Sequence, residues 1–171
     1  TIRTNHSKNG AMGLLPASLL NKAKTVLHGI PRIEEVNRIL EIFSALGVKY
    51  RWIGDQSIEI NPPKKFHKSG LLHKSVANVR SSLLLIPAMT HNLNSFSMLH
   101  SGGCKMGERT ISAHRHALKS LGISIKTEND KYVISAGKFR PSNMVMYEAS
   151  DTATENAIMA AALIPGVTEI S

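Results

Sequence analysis

Leu46-Gly47-Val48-Lys49-Tyr50-Arg51-Trp52-Ile53-Gly54-Asp55 and Leu121-Gly122-Ile123-Ser124-Ile125-Lys126-Thr127-Glu128-Asn129-Asp130 lie 75 positions apart and read alike. In each, a glycine after a leucine ends a helix, an alternating strand follows, and a Gly-Asp or Asn-Asp pair turns the chain back. Upstream of the first, Ile33, Val36, Ile39, Leu40, Phe43 and Leu46 recur at three- and four-residue steps. Upstream of the second, Ile111, His114, Ala117, Leu118 and Leu121 do the same, so each glycine closes an amphipathic helix. Downstream, Ser57–Ile60 and Lys131–Ser135 return as the second strands of two hairpins.

Working outward, Lys8 to Leu20 reads as a helix or loop-to-helix entry despite Gly10, Gly13 and Pro16, and Thr25 to Ile30 as a short strand ending at Pro31. Asn61 to Leu72 reads as a polar connector. Val76, Val79, Leu83 and Leu84 mark a helix ending near Pro87, and Asn94 to His100 a strand. Met144 to Glu148 reads as a strand, and Thr152-Ala153-Thr154-Glu155 matches a capping box for a helix starting near Glu155. Val167 to Ile170 is the last strand. The fold class is α/β (α+β): a single domain, 1–171, of helix–strand–helix–hairpin units at about 8–61 and 75–136, with a truncated third from 144. No unit can bury its apolar faces alone, so the units are expected to pack around shared helices with pseudo-threefold symmetry. The abrupt stop on a strand suggests a fragment or an excised domain.

Composition narrows the partners. The 171 residues carry a net charge of +9, with eight histidines besides. This favours an anionic ligand. The cations are scattered and aromatics make up only 5%, so a nucleic-acid strand is a poor fit and a small anion a better one. No apolar stretch approaches a membrane span and no signal peptide is visible. The single cysteine fits a cytoplasmic setting. No spacing of His, Cys, Asp and Glu suggests a metal site, and no cofactor is expected.

That cysteine lies in Ser101-Gly102-Gly103-Cys104-Lys105-Met106-Gly107-Glu108-Arg109. Three glycines in six residues suggest a mobile loop, and neighbouring cations favour the thiolate of Cys104.

Four segments together resemble the enolpyruvyl transferase family, in its UDP-N-acetylglucosamine 1-carboxyvinyltransferase (MurA-type) branch. They are Lys8-Asn9 before an Ala/Leu-rich helix, Val79-Arg80-Ser81-Ser82, Gly102-Gly103-Cys104-Lys105-Met106-Gly107-Glu108-Arg109, and Ala153-Thr154-Glu155-Asn156. The resemblance runs over nearly the whole chain. It implies an inside-out α/β barrel of three similar units per domain, with a second catalytic domain, absent from this chain, that supplies an aspartate base. It also implies transfer of the enolpyruvyl group of phosphoenolpyruvate to a sugar-nucleotide hydroxyl, with release of phosphate, as a step of peptidoglycan precursor synthesis.

By the same resemblance, Lys8, Arg80 and Arg109 grip the phosphate and carboxylate of phosphoenolpyruvate. Cys104, on a lid, serves in proton transfer or product release and is the point of attack by fosfomycin. Asn9, His114 and Ser150 bind substrate. Read as a residue, His114 on an apolar stripe is as well explained by the core as by the site.

Two segments depart from the family. The usual Pro-Val-Asp-Leu-His is here Thr110-Ile111-Ser112-Ala113-His114, without the aspartate that pairs with uracil. The usual Ser-Val-Gly-Ala-Thr is Ser150-Asp151-Thr152-Ala153-Thr154, which with Glu148 puts negative charge where a diphosphate docks. Both changes point to a divergent acceptor. Two rival readings are a non-catalytic binding or scaffold domain of the same fold, and an RNA 3'-end-processing enzyme.

Overall fold

The computed structural model describes residues 6–102 and 110–171. In chain order, α1 (Lys8–Ala17) runs into a 3-10 turn, Ser18–Leu20, and then come β1 (Thr25–His28), α2 (Glu34–Leu46), β2 (Lys49–Trp52) and β3 (Ser57–Asn61). A 3-10 turn at Lys68–Leu72 leads to α3 (Lys74–Asn78), a second 3-10 segment, Arg80–Leu84, and α4 (Leu85–Thr90). The remainder is β4 (Ser95–Leu99), α5 (Ser112–Ser120), β5 (Ile123–Glu128), β6 (Lys131–Ala136), β7 (Asn143–Met144), α6 (Asp151–Ala161) and β8 (Glu169–Ile170).

Two three-stranded antiparallel sheets share one topology, β1-β3-β2 and β4-β6-β5. In each, the hairpin's return strand lies at the centre. Thr25 sits opposite Ile60 and Lys49 opposite Asn61 in the first sheet; Ser95 sits opposite Ser135 and Ile123 opposite Ala136 in the second. Gly47 and Gly122 both take left-handed backbone, φ 86° and 95°, and stop their helices where the repeat predicts. Alternate residues turn inward: Ile58, Ile60, Met98 and Ile134 are fully buried.

The helices form the interior. Every residue of α4 is buried, and α4 touches both α1 and α6, with the sheets outside. The chain is an inside-out α/β barrel of repeated units around shared helices.

Four sequence expectations need correction. The helix expected from Val76 to Pro87 is broken at Val79, which is extended (φ −133°, ψ 131°). The Ser82 hydroxyl lies 2.9 and 2.7 Å from the Val76 and Val79 carbonyls and takes over acceptors the helix would have used. Pro87 stops nothing, because it occupies the first turn of α4, where a backbone N–H has no partner to lose. The 61–72 connector is not merely polar: Phe66, Gly70 and Leu71 are buried. The strand expected over 144–148 is only Asn143–Met144, paired in parallel with β8, which itself covers just Glu169–Ile170. Finally, α6 starts at Asp151 rather than near Glu155. Its N-cap is Ser150, whose Oγ accepts the Ala153 N–H at 3.4 Å, so Thr152 lies inside the first turn.

Gly70 shows how closely the connector is packed. A Cβ there would stand 2.6 Å from the backbone of Ala45 and Leu46 at the end of α2. Gly70→Ala is therefore expected to cost about 1–3 kcal/mol, as overpacking against unyielding backbone does. Gly10→Ala, which would meet only Ser7 at 3.5 Å, should stay within about 0.5 kcal/mol of wild type. Urea midpoints of the two variants decide the point.

Candidate active site

Two helix N-termini and one helix break open on a single cleft of about 610 Å³. The N-cap of α1 is Ser7, whose Oγ accepts the Gly10 N–H at 3.1 Å. That leaves Lys8 and Asn9 in the first turn, lining the cleft. The N-terminus of α6 contributes Ser150, Asp151, Thr152 and Glu155, and the break at Val79 contributes Arg80. Helix N-termini carry partial positive charge, which with Lys8 and Arg80 favours an anion.

Acidic groups share the space. Lys8 Nζ donates to Glu35 in a short ion pair on the cleft wall. This bond holds the Glu35 carboxyl below the usual range. Glu155 packs against the bare backbone of Gly13, where a Cβ would meet its carboxylate at 3.0 Å. Its own carboxyl is pushed up, first by burial and then by Asp151 nearby. Among the described residues, three carboxylates face two cations in this cleft.

A smaller cleft of about 450 Å³ adjoins it, lined by Arg80, Thr110, His114, Glu148, Ser150 and Thr152. His114 is 3% exposed, so it belongs to the core and to the cleft wall at once. Its Nδ1 lies 2.8 Å from Asn156 Nδ2, and its Nε2 lies 3.5 Å from Thr152 Oγ1. Burial, and secondarily Arg80, push its pKa down to about 4, so the ring is neutral near pH 7.

Of the site residues expected from sequence, the structure brings Lys8, Asn9, Arg80 and Ser150 to the larger cleft, and Arg80, His114 and Ser150 to the smaller. Ser150 spends its hydroxyl oxygen on capping α6. Cys104 and Arg109 lie outside the described residues. Both flanks of their segment nevertheless meet the α3–Arg80 stretch. A Cβ on Gly102 would stand 1.7 Å from the Ala77 carbonyl oxygen, and Arg80 Nη2 donates to the Thr110 carbonyl at 2.8 Å.

Sequence reasoning missed Glu35, Glu155 and Asn156 as parts of the site. Asn156 carried a signal: it is a polar residue on the buried stripe Ala153, Ala157 and Ala160. Glu35 carried none, because its partner is 27 positions away. Among the described residues no cluster of His, Cys, Asp and Glu could hold a metal ion, and no helix is long and apolar enough to cross a membrane.

Comparison with known proteins places the chain among relatives. The family model described as EPSP synthase (3-phosphoshikimate 1-carboxyvinyltransferase) matches residues 2–171. A UDP-N-acetylglucosamine 1-carboxyvinyltransferase of Deinococcus radiodurans is 30% identical over 96% of the chain and 38% of its own length. A protein of the same name from the Wolbachia of Brugia malayi is 28% identical over 99% of the chain and 41% of its own length. The chain thus spans about two fifths of these relatives. Among solved structures, the enolpyruvyl transferase NikO from Streptomyces tendae superposes with TM-score 0.78 at 18% identity, covering 99% of this chain and 40% of that one. An EPSP synthase from Acinetobacter baumannii gives 0.72 at 16% identity, over 99% and 39%.

The low pKa of His114 has a consequence for stability. Unfolded, the imidazole takes up a proton near pH 6.5; folded, only near 4. This part of the stability is complete above about pH 6.5 and is lost on acidification towards 4, on the order of 3 kcal/mol in all. Glu155, with its raised pKa, works in the opposite sense, so the effect is read as a difference. Between pH 7 and 4.5, wild type should lose more stability than His114→Gln in denaturant titrations. Equal losses would show that His114 is not held neutral.

Proposed function

The chain belongs to the EPSP synthase family of 1-carboxyvinyl (enolpyruvyl) transferases, and on that premise we propose that it is one domain of a two-domain enzyme. This enzyme moves the enolpyruvyl group of phosphoenolpyruvate to a hydroxyl of UDP-N-acetylglucosamine or a related sugar nucleotide and releases phosphate. The observation that carries the reading is the convergence of Lys8, Asn9, Arg80 and Ser150 on one cleft from three distant parts of the chain. The curated relatives bear the name of this reaction.

The chemistry is addition of the acceptor hydroxyl to the enolpyruvyl carbon, then elimination of phosphate. Lys8 and Arg80 bind the phosphate and carboxylate, Arg80 by a forked guanidinium and Lys8 as a point charge. The two helix N-termini add fixed positive potential, which stabilises charge on the tetrahedral intermediate. Lys8 must exchange Glu35 for the incoming anion, so Glu35 holds the ammonium in place until then. Asn9, His114 and Ser150 face the acceptor. Cys104 and Arg109 complete the phosphoenolpyruvate end from their loop, Cys104 as a general acid. The aspartate base belongs to the second domain.

Calorimetric titration with phosphoenolpyruvate tests the anion site. Saturable binding is expected, weakened about ten- to a hundredfold in Lys8→Ala and Arg80→Ala, the loss of one charge-assisted contact each. Absence of binding, or binding indifferent to both substitutions, would sink the assignment.

A second reading concerns the acceptor. Asp151 and Glu155 line the larger cleft and Glu148 the smaller, on the side of the α6 N-terminus. They favour an acceptor with less negative charge than a nucleoside diphosphate. Titration with UDP-N-acetylglucosamine separates the two: affinity comparable to that of phosphoenolpyruvate supports the sugar nucleotide, and weak binding that improves at least tenfold in Asp151→Asn supports the less anionic acceptor.

A further inference from the structure

Asn156 makes an unusual polar link in the interior. Reaching across from α6, its Nδ2 donates to the Leu83 carbonyl oxygen, in the 3-10 segment before α4, at 3.2 Å. A carbonyl can only accept, so this bond fixes which end of the amide faces inward. The same Nδ2 lies 2.8 Å from His114 Nδ1, so that ring nitrogen must be the acceptor. The imidazole proton is then on Nε2. Asn156 is fully buried, and its Oδ1 finds no partner among the described residues. The amide is held by what its nitrogen does.

Nε2 points the other way, towards the smaller cleft between Arg80, Thr110, Glu148, Ser150 and Thr152. It meets Thr152 Oγ1 at 3.5 Å, at the long limit of a hydrogen bond. The proton therefore remains available to a ligand oxygen.

We infer that Asn156 is a positioning residue for substrate binding: anchored on the Leu83 carbonyl, it locks His114 as a neutral Nε2–H donor aimed into the acceptor cleft. The site thus offers Arg80 as its cation and His114 as an uncharged donor, a pairing suited to a substrate oxygen such as a sugar hydroxyl or carbonyl. The suppressed basicity of the ring, from burial and from Arg80, agrees with this. Assigning the cleft to the acceptor rests on the function proposed above; the tautomer and its cause do not.

The test is nitrogen-15 NMR of the histidines in the full chain, with His114 identified by its loss in His114→Gln. In wild type, His114 should show a protonated Nε2, an unprotonated Nδ1, and no titration above about pH 5. In Asn156→Asp the carboxylate accepts from Nδ1, so the proton should move to Nδ1 and the apparent pKa rise by about 1–3 units. A purely structural role for Asn156 would lower stability without this exchange of protonated nitrogens. A wild-type Nδ1–H tautomer, or ordinary titration near pH 6.5, overturns the inference even if the variant fails to fold. So does an unchanged tautomer in folded Asn156→Asp. Adding UDP-N-acetylglucosamine should then shift the Nε2 resonance. If the tautomer is as expected but this shift is missing, the acceptor assignment fails and the role in binding fails with it, while phosphoenolpyruvate binding still reports on the proposed reaction.

Discussion

Helix α4 has no side that faces water: Leu85, Ile86, Pro87, Ala88, Met89 and Thr90 are all buried. A helix apolar all round can lie only in the middle of a domain. The amphipathic helices and half-polar sheets must then pack around it, their polar faces outward. This constraint explains why the sheets form the outer layer. It also explains why α1 and α6, which touch α4 and each other, bring their N-termini to one place. The cleft is a by-product of that convergence: helix ends cannot fill space as helix sides do, and their unpaired N–H groups call for polar or anionic company.

Close approach of α1 and α6 has an electrostatic price, visible in the cleft. Gly13 lets the Glu155 carboxyl lie against α1, where burial and Asp151 oppose its ionisation. Glu35 is favoured as an anion because Lys8 donates to it. The two carboxyls therefore respond oppositely to the same cleft. An arriving anion would raise the affinity of both for protons, Glu35 by taking its lysine and Glu155 by added repulsion.

Much of this architecture was legible in sequence, and the rest failed for identifiable reasons. The two hairpins and the helices before them were readable because their signals are local: Gly47 and Gly122 as stops, and alternation in the strands. The central position of β3 and β6 was not, since β1 and β4 choose their neighbours through contacts distant in sequence. The break at Val79 was hidden because Ser82 competes for carbonyls only in the folded packing. The start of α6 was misplaced because Ser150 and Thr152 both suit a cap. Backbone decides between them, Ser150 being extended and Thr152 helical. Lys8, Asn9, Arg80 and Ser150 stood out by resemblance to family motifs. Asn156 sat in such a motif too, but its role depends on Leu83 and His114, 73 and 42 positions away.

Arg80 joins these levels. It follows the break at Val79, lines both clefts, and holds the Thr110 carbonyl through Nη2. A guanidinium has five N–H donors in a rigid fork, and Nη2 gives one of them to Thr110. Because the fork is rigid, the position of Thr110 and the direction of the remaining donors are not independent. Gly102 is pressed onto Ala77, just before the same break, so the far flank of the cysteine segment is referred to the same piece of backbone. The side chain that would grip an anion thus also fixes one flank of the segment carrying Cys104, and the physical origin of that coupling is a helix that stops at Val79.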